Sequence, residues 1–265
     1  RGAAKPEDLV TAAVATGLPA MALLDRDGVC GAPRFFDPAR EAGLRARVGA
    51  EITMEDGSIV PLLATSQAGY QNLCQLITEA KLTERKVGRV IPNAPQATAR
   101  PEAARWGQRA LPSSPGKHDP DPRDRKRPCF ATWDELARYS DGLIALTGDE
   151  EGPVRRAWRT DGATAAHDAL ARLTAIFGRG ADADHARLFV EVQRHRLRGE
   201  EREIRFLRDL ASAHALPLLA TGGVNYAVPT QRSTADVFTC LRLHTTLDGA
   251  GRALALNAER HVKSA

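Results

Sequence analysis

Cysteine is scarce in this chain. Cys30, Cys74, Cys129 and Cys240 are its four thiols, with no Cys-x-x-Cys pair among them. That spacing argues against a zinc ribbon or a disulfide framework, and the default expectation is a reducing, cytoplasmic setting. Long apolar runs are missing too, since none approaches the roughly 18–20 residues that span a bilayer. There is no basic start, apolar stretch and small-residue cleavage site of the kind that marks a signal peptide. No membrane partner is therefore expected. An initiator Met is also lacking, because position 1 is Arg, with Pro6 placed for a first helical turn almost at once. The expectation is a piece of a longer protein whose upstream strand lies before Arg1. No internal repeat is found.

The composition itself is ordinary for a soluble globular chain, with 43% hydrophobic and 26% charged residues. The net charge of +4 invites a nucleic-acid reading, but the excess is local. Residues 85–128 hold 11 Lys/Arg against 4 Asp/Glu, and the remainder has 26 basic against 29 acidic residues. Half of the 16 prolines also fall within 85–131, where aliphatics are few. Such a stretch buries too little apolar surface to offset its ordering entropy. It reads as a disordered Pro/Arg-rich insertion, either a solvated loop or a basic arm for acidic partners such as DNA. The expected domain is thus a single one, 1–265, interrupted at 85–131.

On either side the apolar pattern alternates between strand and helix. Strands are expected at 19–24, 47–53, 59–64, 142–147, 187–193 and 216–221, with Asp56–Gly57 as a hairpin turn. Helices are expected at 6–16, at 32–41 with Pro38 limiting or kinking it, and at 69–82. Further helices follow at 163–177, at 200–214 and at 231–243, the last carrying Val237, Phe238 and Leu241. Thr132–Trp133–Asp134–Glu135 matches a capping box opening another. This alternation argues α/β with a parallel sheet, open or closed. If the sheet closes, the strand C-terminal ends converge on one mouth.

Polar candidates cluster at those ends. Asp25 follows the first strand, Glu51 lies in the second, His195 follows 190–194, and Gly223 and Asn225 follow the last. Carboxylates and imidazoles from separate strands are what a multi-metal phosphoesterase uses to clamp phosphate and acidify a bound water. Singly, each has a plainer reading: Asp25 as a turn residue beside Gly28, Glu51 as a surface charge, His195 as a loop histidine among arginines.

Several runs carry a resemblance. They are Leu18–Pro19–Ala20–Met21–Ala22–Leu23–Leu24–Asp25, Val48–Gly49–Ala50–Glu51, and Leu62–Leu63–Ala64 with Gly69–Tyr70–Gln71–Asn72–Leu73. Gly142–Leu143–Ile144–Ala145–Leu146–Thr147–Gly148, Phe189–Val190–Glu191–Val192–Gln193–Arg194–His195, Ala220–Thr221 and Asn257–Ala258–Glu259–Arg260–His261 continue it. Together they resemble the PHP (polymerase and histidinol phosphatase) domain of C-family bacterial DNA polymerases of the alpha-subunit type. Arg1–Gly2–Ala3 with Pro6–Glu7–Asp8–Leu9–Val10 is similar to the error-prone branch. The resemblance covers everything outside the insertion. It implies a distorted seven-stranded (βα) TIM-like barrel with its site at the strand C-terminal mouth, the first strand missing from this chain.

The resemblance also implies where the site departs from the family. Metal-binding members carry a His-x-His on the strand that would precede Arg1. Asp25, Glu51 and His195 stand at ligand positions. Arg26 replaces a frequent His, and Gly223-x-Asn225 replaces a closing Asp-x-His. Glycine supplies no ligand, the Asn225 amide competes poorly for a transition metal, and Arg26 keeps its charge. The expected positions are therefore vestigial, with no catalytic residue, no bound cofactor and at most a divalent zinc or manganese. Arg26 is expected to pair with Asp25 or Glu51. The implied function is the PHP module of an error-prone polymerase in damage-induced translesion synthesis and repair. Its implied partners are the polymerase domain of the same chain, DNA and translesion accessory proteins. An active metal-dependent phosphoesterase or 3′–5′ exonuclease is the alternative, and a stand-alone nucleic-acid-binding protein is the third reading.

Overall fold

The computed structural model describes residues 2–82, 129–180 and 185–264. The expected disorder of the insertion falls outside the described residues up to 128. Ordered chain is already present at Ala131, which is fully buried and whose N–H donates to the Thr53 carbonyl at 2.8 Å.

Pro6 opens α1 (Pro6–Ala15), which buries Leu9, Val10 and Ala13 on one face. Burying a side chain of valine or leucine size stabilises by about 1.5–3 kcal/mol, so this face fixes the helix. β1 (Ala20–Arg26) follows, then α2 (Ala32–Glu41), which runs through Pro38 to Glu41 rather than stopping there. β2 (Arg45–Thr53) and β3 (Ile59–Ala64) form the hairpin, and α3 (Gln67–Leu82) packs back on it. Beyond the insertion come α4 (Trp133–Arg138), β4 (Leu143–Leu146), α5 (Pro153–Asp161) and α6 (Ala163–Phe177). In α4 the capping box forms as expected, with the Glu135 N–H donating to Thr132 Oγ1 at 3.2 Å. β5 (Leu188–Gln193), α7 (Glu200–Ala213), β6 (Leu218–Thr221), α8 (Arg232–Leu243) and the single turn α9 (Leu247–Ala250) complete the order.

Among the described residues the six strands form one curled sheet in sequence order, β1 to β6. β1–β2, β4–β5 and β5–β6 pair parallel, but β3 runs antiparallel to both its neighbours. The sheet is therefore mixed, because the short turn at Asp56–Gly57 can only return an antiparallel strand. β1 and β6 are its two edges. Neither has a fully buried residue, although Ala20–Met21–Ala22–Leu23–Leu24 and Leu218–Leu219–Ala220 are apolar.

The larger core lies between the sheet and α3, α4, α6 and α7, built on residues such as Leu62, Leu73, Leu136, Leu170, Leu188 and Leu207. A smaller one joins α1 and α2 to β1, through Val10, Ala13, Phe35 and Ala39. α8 forms where the sequence places a helix, but its apolar stripe does not enter the core. Ala235 and Cys240 are its buried residues, while Val237, Phe238 and Leu241 face outward.

Candidate functional site

The parallel register of β1 and β2 sets Arg26 directly beside Glu51. The two pair as the sequence leads one to expect. Arg26 Nε donates to Glu51 Oε2 at 2.9 Å, and its Nη2 reaches Glu151 Oε2 at 2.8 Å. One guanidinium thus joins β1, β2 and the loop after β4. Asp25 does not join this pair. Its Oδ2 accepts from the Gly31 N–H at 2.6 Å and holds the turn into α2. A side chain at 31 would meet that carboxylate at 3.1 Å and Leu23 Cδ2 at 2.9 Å, which is why glycine stands there. Asp27, in the left-handed region at φ 51°, accepts from both the N–H and the hydroxyl of Thr53 at 2.8 Å each. The two aspartates at this strand end are occupied in holding backbone.

A second guanidinium does the same on the other side. Arg260 donates to Glu150 at 2.9 Å and 3.0 Å and lies 3.7 Å from Asp149. Burial alone would push the Glu150 carboxyl up, but the Arg260 charge beside it overrides this and holds it below the usual range. Arg260, Asp149, Glu150 and Glu151 were not singled out from the sequence as site residues. The available signal was three consecutive acids just past a buried strand.

His195 is buried at 4% exposure rather than solvated. Its N–H donates to Glu200 Oε1 at 2.6 Å, and its carbonyl accepts from Asn257 Nδ2 at 2.6 Å. Its ring Nε2 sits 3.0 Å from the Gly222 carbonyl, which can only accept, so Nε2 carries the proton there. Burial lowers the pKa of the ring, and the Gly222 carbonyl offsets this only in part.

Gly223 and Asn225 flank the same corner. Gly223 holds φ 51°, and a Cβ placed on it would lie 2.5 Å from Gln193 Oε1 and 2.9 Å from Gln193 Cδ. The Gln193 side chain therefore fills the space into which a longer residue at 223 would grow. Gln193 Nε2 donates to Glu191 Oε1 at 2.8 Å, and the Thr221 hydroxyl donates to the same oxygen. Glu191 is buried at 5% exposure, and burial drives its carboxyl pKa up despite these bonds, with Asp149 and Glu51 pushing the same way. Glu191 Oε2 and Gln193 Oε1 are buried without a hydrogen-bond partner. The Asn225 carbonyl accepts from the Ala3 N–H at 2.6 Å, and its N–H donates to the Arg260 carbonyl at 2.9 Å.

A divalent metal does not fit the residues as they stand. Glu51 is neutralised by Arg26, Asp25 holds Gly31, and the proton on His195 Nε2 points at a carbonyl. Among the described residues no group of three or more His, Cys, Asp or Glu is placed to hold a metal ion. No described helix is long and apolar enough to cross a membrane.

Fold and site together define an α/β protein with a curled sheet and a charged mouth at its strand ends. The chain belongs to the PHP domain family, whose profile matches residues 1–195. It is 36% identical over 262 residues to an error-prone DNA polymerase of Symbiobacterium thermophilum, which spans 99% of this chain and 21% of that relative. An error-prone DNA polymerase of Anaeromyxobacter sp. strain K is 31% identical, over 99% of this chain and 19% of its own length. The chain thus spans about a fifth of the length of the curated relatives it matches. A solved structure from Bifidobacterium adolescentis, described as a candidate metal-dependent phosphoesterase, is 16% identical with a TM-score of 0.46. The match covers 83% of this chain and 82% of that one.

Proposed function

We propose that this chain is the PHP module of an error-prone-type DNA polymerase working in the cytoplasm in damage-induced translesion synthesis and repair. In this reading its metal site is degenerate and its role is to support the adjoining polymerase portion. DNA and translesion accessory proteins are the further partners of the whole enzyme. The observation that carries the reading is Gln193. Its side chain stands where a ligand at 223 would have to grow, so the corner has been refilled and not merely stripped of a carboxylate.

The charge pattern supports the same reading. Arg26 is shared by Glu51 and Glu151, and Arg260 by Glu150 and Asp149, a net deficit of positive charge. Each of these carboxylates already has a guanidinium partner, which competes with a divalent ion for its oxygens. A seventh strand closing the barrel belongs to the proposal too. Both sheet edges are largely apolar yet only partly buried, and the Ala3 N–H donates to the Asn225 carbonyl at 2.6 Å, just past the end of β6. A parallel strand entering residue 2 from upstream would lie between them, with α1 as its crossover to β1.

Elemental analysis of the protein in its full natural reading frame tests the metal part of the reading. The expected result is less than about 0.1 equivalent of zinc or manganese after mild chelation. One equivalent or more that survives chelation would overturn the degenerate-site reading.

A further inference from the structure

We propose that the outward apolar stripe of α8 is the seat on which the polymerase portion of the longer chain docks. The proposal rests on the functional reading above. Residues 237, 238 and 241 share one face of a helix, and Val237, Phe238 and Leu241 are 45%, 48% and 65% exposed. Leu247 and Leu256, in the turns that follow, are 52% and 74% exposed. An amphipathic helix ordinarily turns such a stripe toward its own core, and a contiguous exposed one marks an interaction surface. α8 buries only Ala235 and Cys240 and packs chiefly on α9 and the 3-10 turn Pro229–Gln231 before it. Arg232 fastens this region to itself through Asp236 at 3.6 Å and the Ala255 carbonyl at 2.6 Å. The helix is held in place while its apolar face is left outward.

The chemistry of the stripe selects the partner. From 233 to 241 the one charged residue is Asp236, and it is already paired with Arg232. On α8 the stripe is bordered by one exposed arginine, Arg242, and a single cation gives a phosphate backbone little hold, so DNA is not its occupant. An apolar protein surface is. The family profile ends at residue 195, whereas the similarity to the long polymerase chains runs on through 99% of this chain, α8 included. The stripe therefore lies in the part shared with chains about five times longer, whose remaining length supplies a covering surface in cis. An intramolecular partner needs little buried area to stay docked, because the linker sets a high effective concentration.

The test places a photo-crosslinking phenylalanine analogue at position 238, and separately at 241, in the full natural polypeptide. Both positions are exposed, so the substitution is mild at either. Irradiation is expected to give a crosslink within one polypeptide to a peptide beyond residue 265, at unchanged monomer mass on a denaturing gel. A product of doubled mass, dependent on protein concentration, would assign the face to a second copy and overturn the proposal. A crosslink to a peptide upstream of Arg1 or within 1–265, or none at either position, would overturn it as well. A natural reading frame without a polymerase portion would sink the functional reading itself. One that has it, but crosslinks elsewhere, would sink only the docking.

Discussion

Changing Gly223 to Ala adds one methyl group and meets two separate penalties. At φ 51° an L-residue costs roughly 1–2 kcal/mol more than glycine. The new carbon would also lie 2.5 Å from Gln193 Oε1 and 2.9 Å from Gln193 Cδ, so the glutamine has to swing away. That movement breaks its 2.8 Å bond to Glu191 and takes from the buried Gln193 amide nitrogen its partner, while Glu191 Oε1 keeps the Thr221 hydroxyl. Such a loss costs about 1–3 kcal/mol. The sum is about 2–5 kcal/mol, and at about 2–4 °C per kcal/mol for a chain of this size Tm should fall by roughly 4–20 °C. In a Gln193→Ala background the collision is absent and only the backbone penalty remains. The double-mutant cycle should therefore show a coupling of about 1–3 kcal/mol by thermal or urea unfolding. Equal costs of Gly223→Ala in both backgrounds would refute the claim that Gln193 fills this corner.

Two further outcomes follow from the same mouth. Arg26→Ala removes the cation shared by Glu51 and Glu151, whose side chains are 28% and 39% exposed. Partly solvated pairs contribute little each, so a loss of about 1 kcal/mol is expected, shrinking in high salt. A variant with unchanged Tm would show that this guanidinium bears no weight. Glu191→Gln tests the buried carboxyl. Burial raises its folded pKa above the ordinary carboxylate value, so its stabilising effect is complete below that ordinary value and is lost as pH rises through the folded pKa. The glutamine variant should therefore gain stability relative to the parent as pH rises through that folded pKa. A parent and variant with parallel pH–stability curves would contradict the raised pKa.

Most elements were legible in the sequence, because apolar periodicity and caps are local. The capping box at Thr132 and the Asp56–Gly57 turn each mark a boundary without knowledge of the rest. α5 was not legible. Its segment Pro153–Asp161 is rich in arginine and buries Arg155, which no hydrophobic pattern announces. It is held by buried Val154, by Trp158 stacked on Phe206 at 4.6 Å, and by an ion pair from Arg155 to Glu203 on α7, 48 positions away. Burial pushes both charges toward neutrality, but their mutual pairing overrides this, raising the pKa of Arg155 and lowering that of Glu203. The stripe on α8 shows the opposite case. Its period was plain, but period alone does not say whether an apolar face turns in or out.

The sequence by itself determined the alternation of strand and helix, the charge confined to one segment, and the strand ends carrying Asp25, Glu51, His195, Gly223 and Asn225. It also put a permanent cation at Arg26 and left no side chain at Gly223, since these follow from residue type alone. Only the tertiary structure decided that Arg26 is shared between Glu51 and Glu151, and that Asp25 holds a turn. It alone brought Arg260 to the acids after β4 and set Gln193 over Gly223. These are contacts between residues far apart in the chain, fixed by sheet register and by the curl that brings strand ends together. Identity says which groups are present. The register decides which of them meet, and so which group fills the corner beside Gly223.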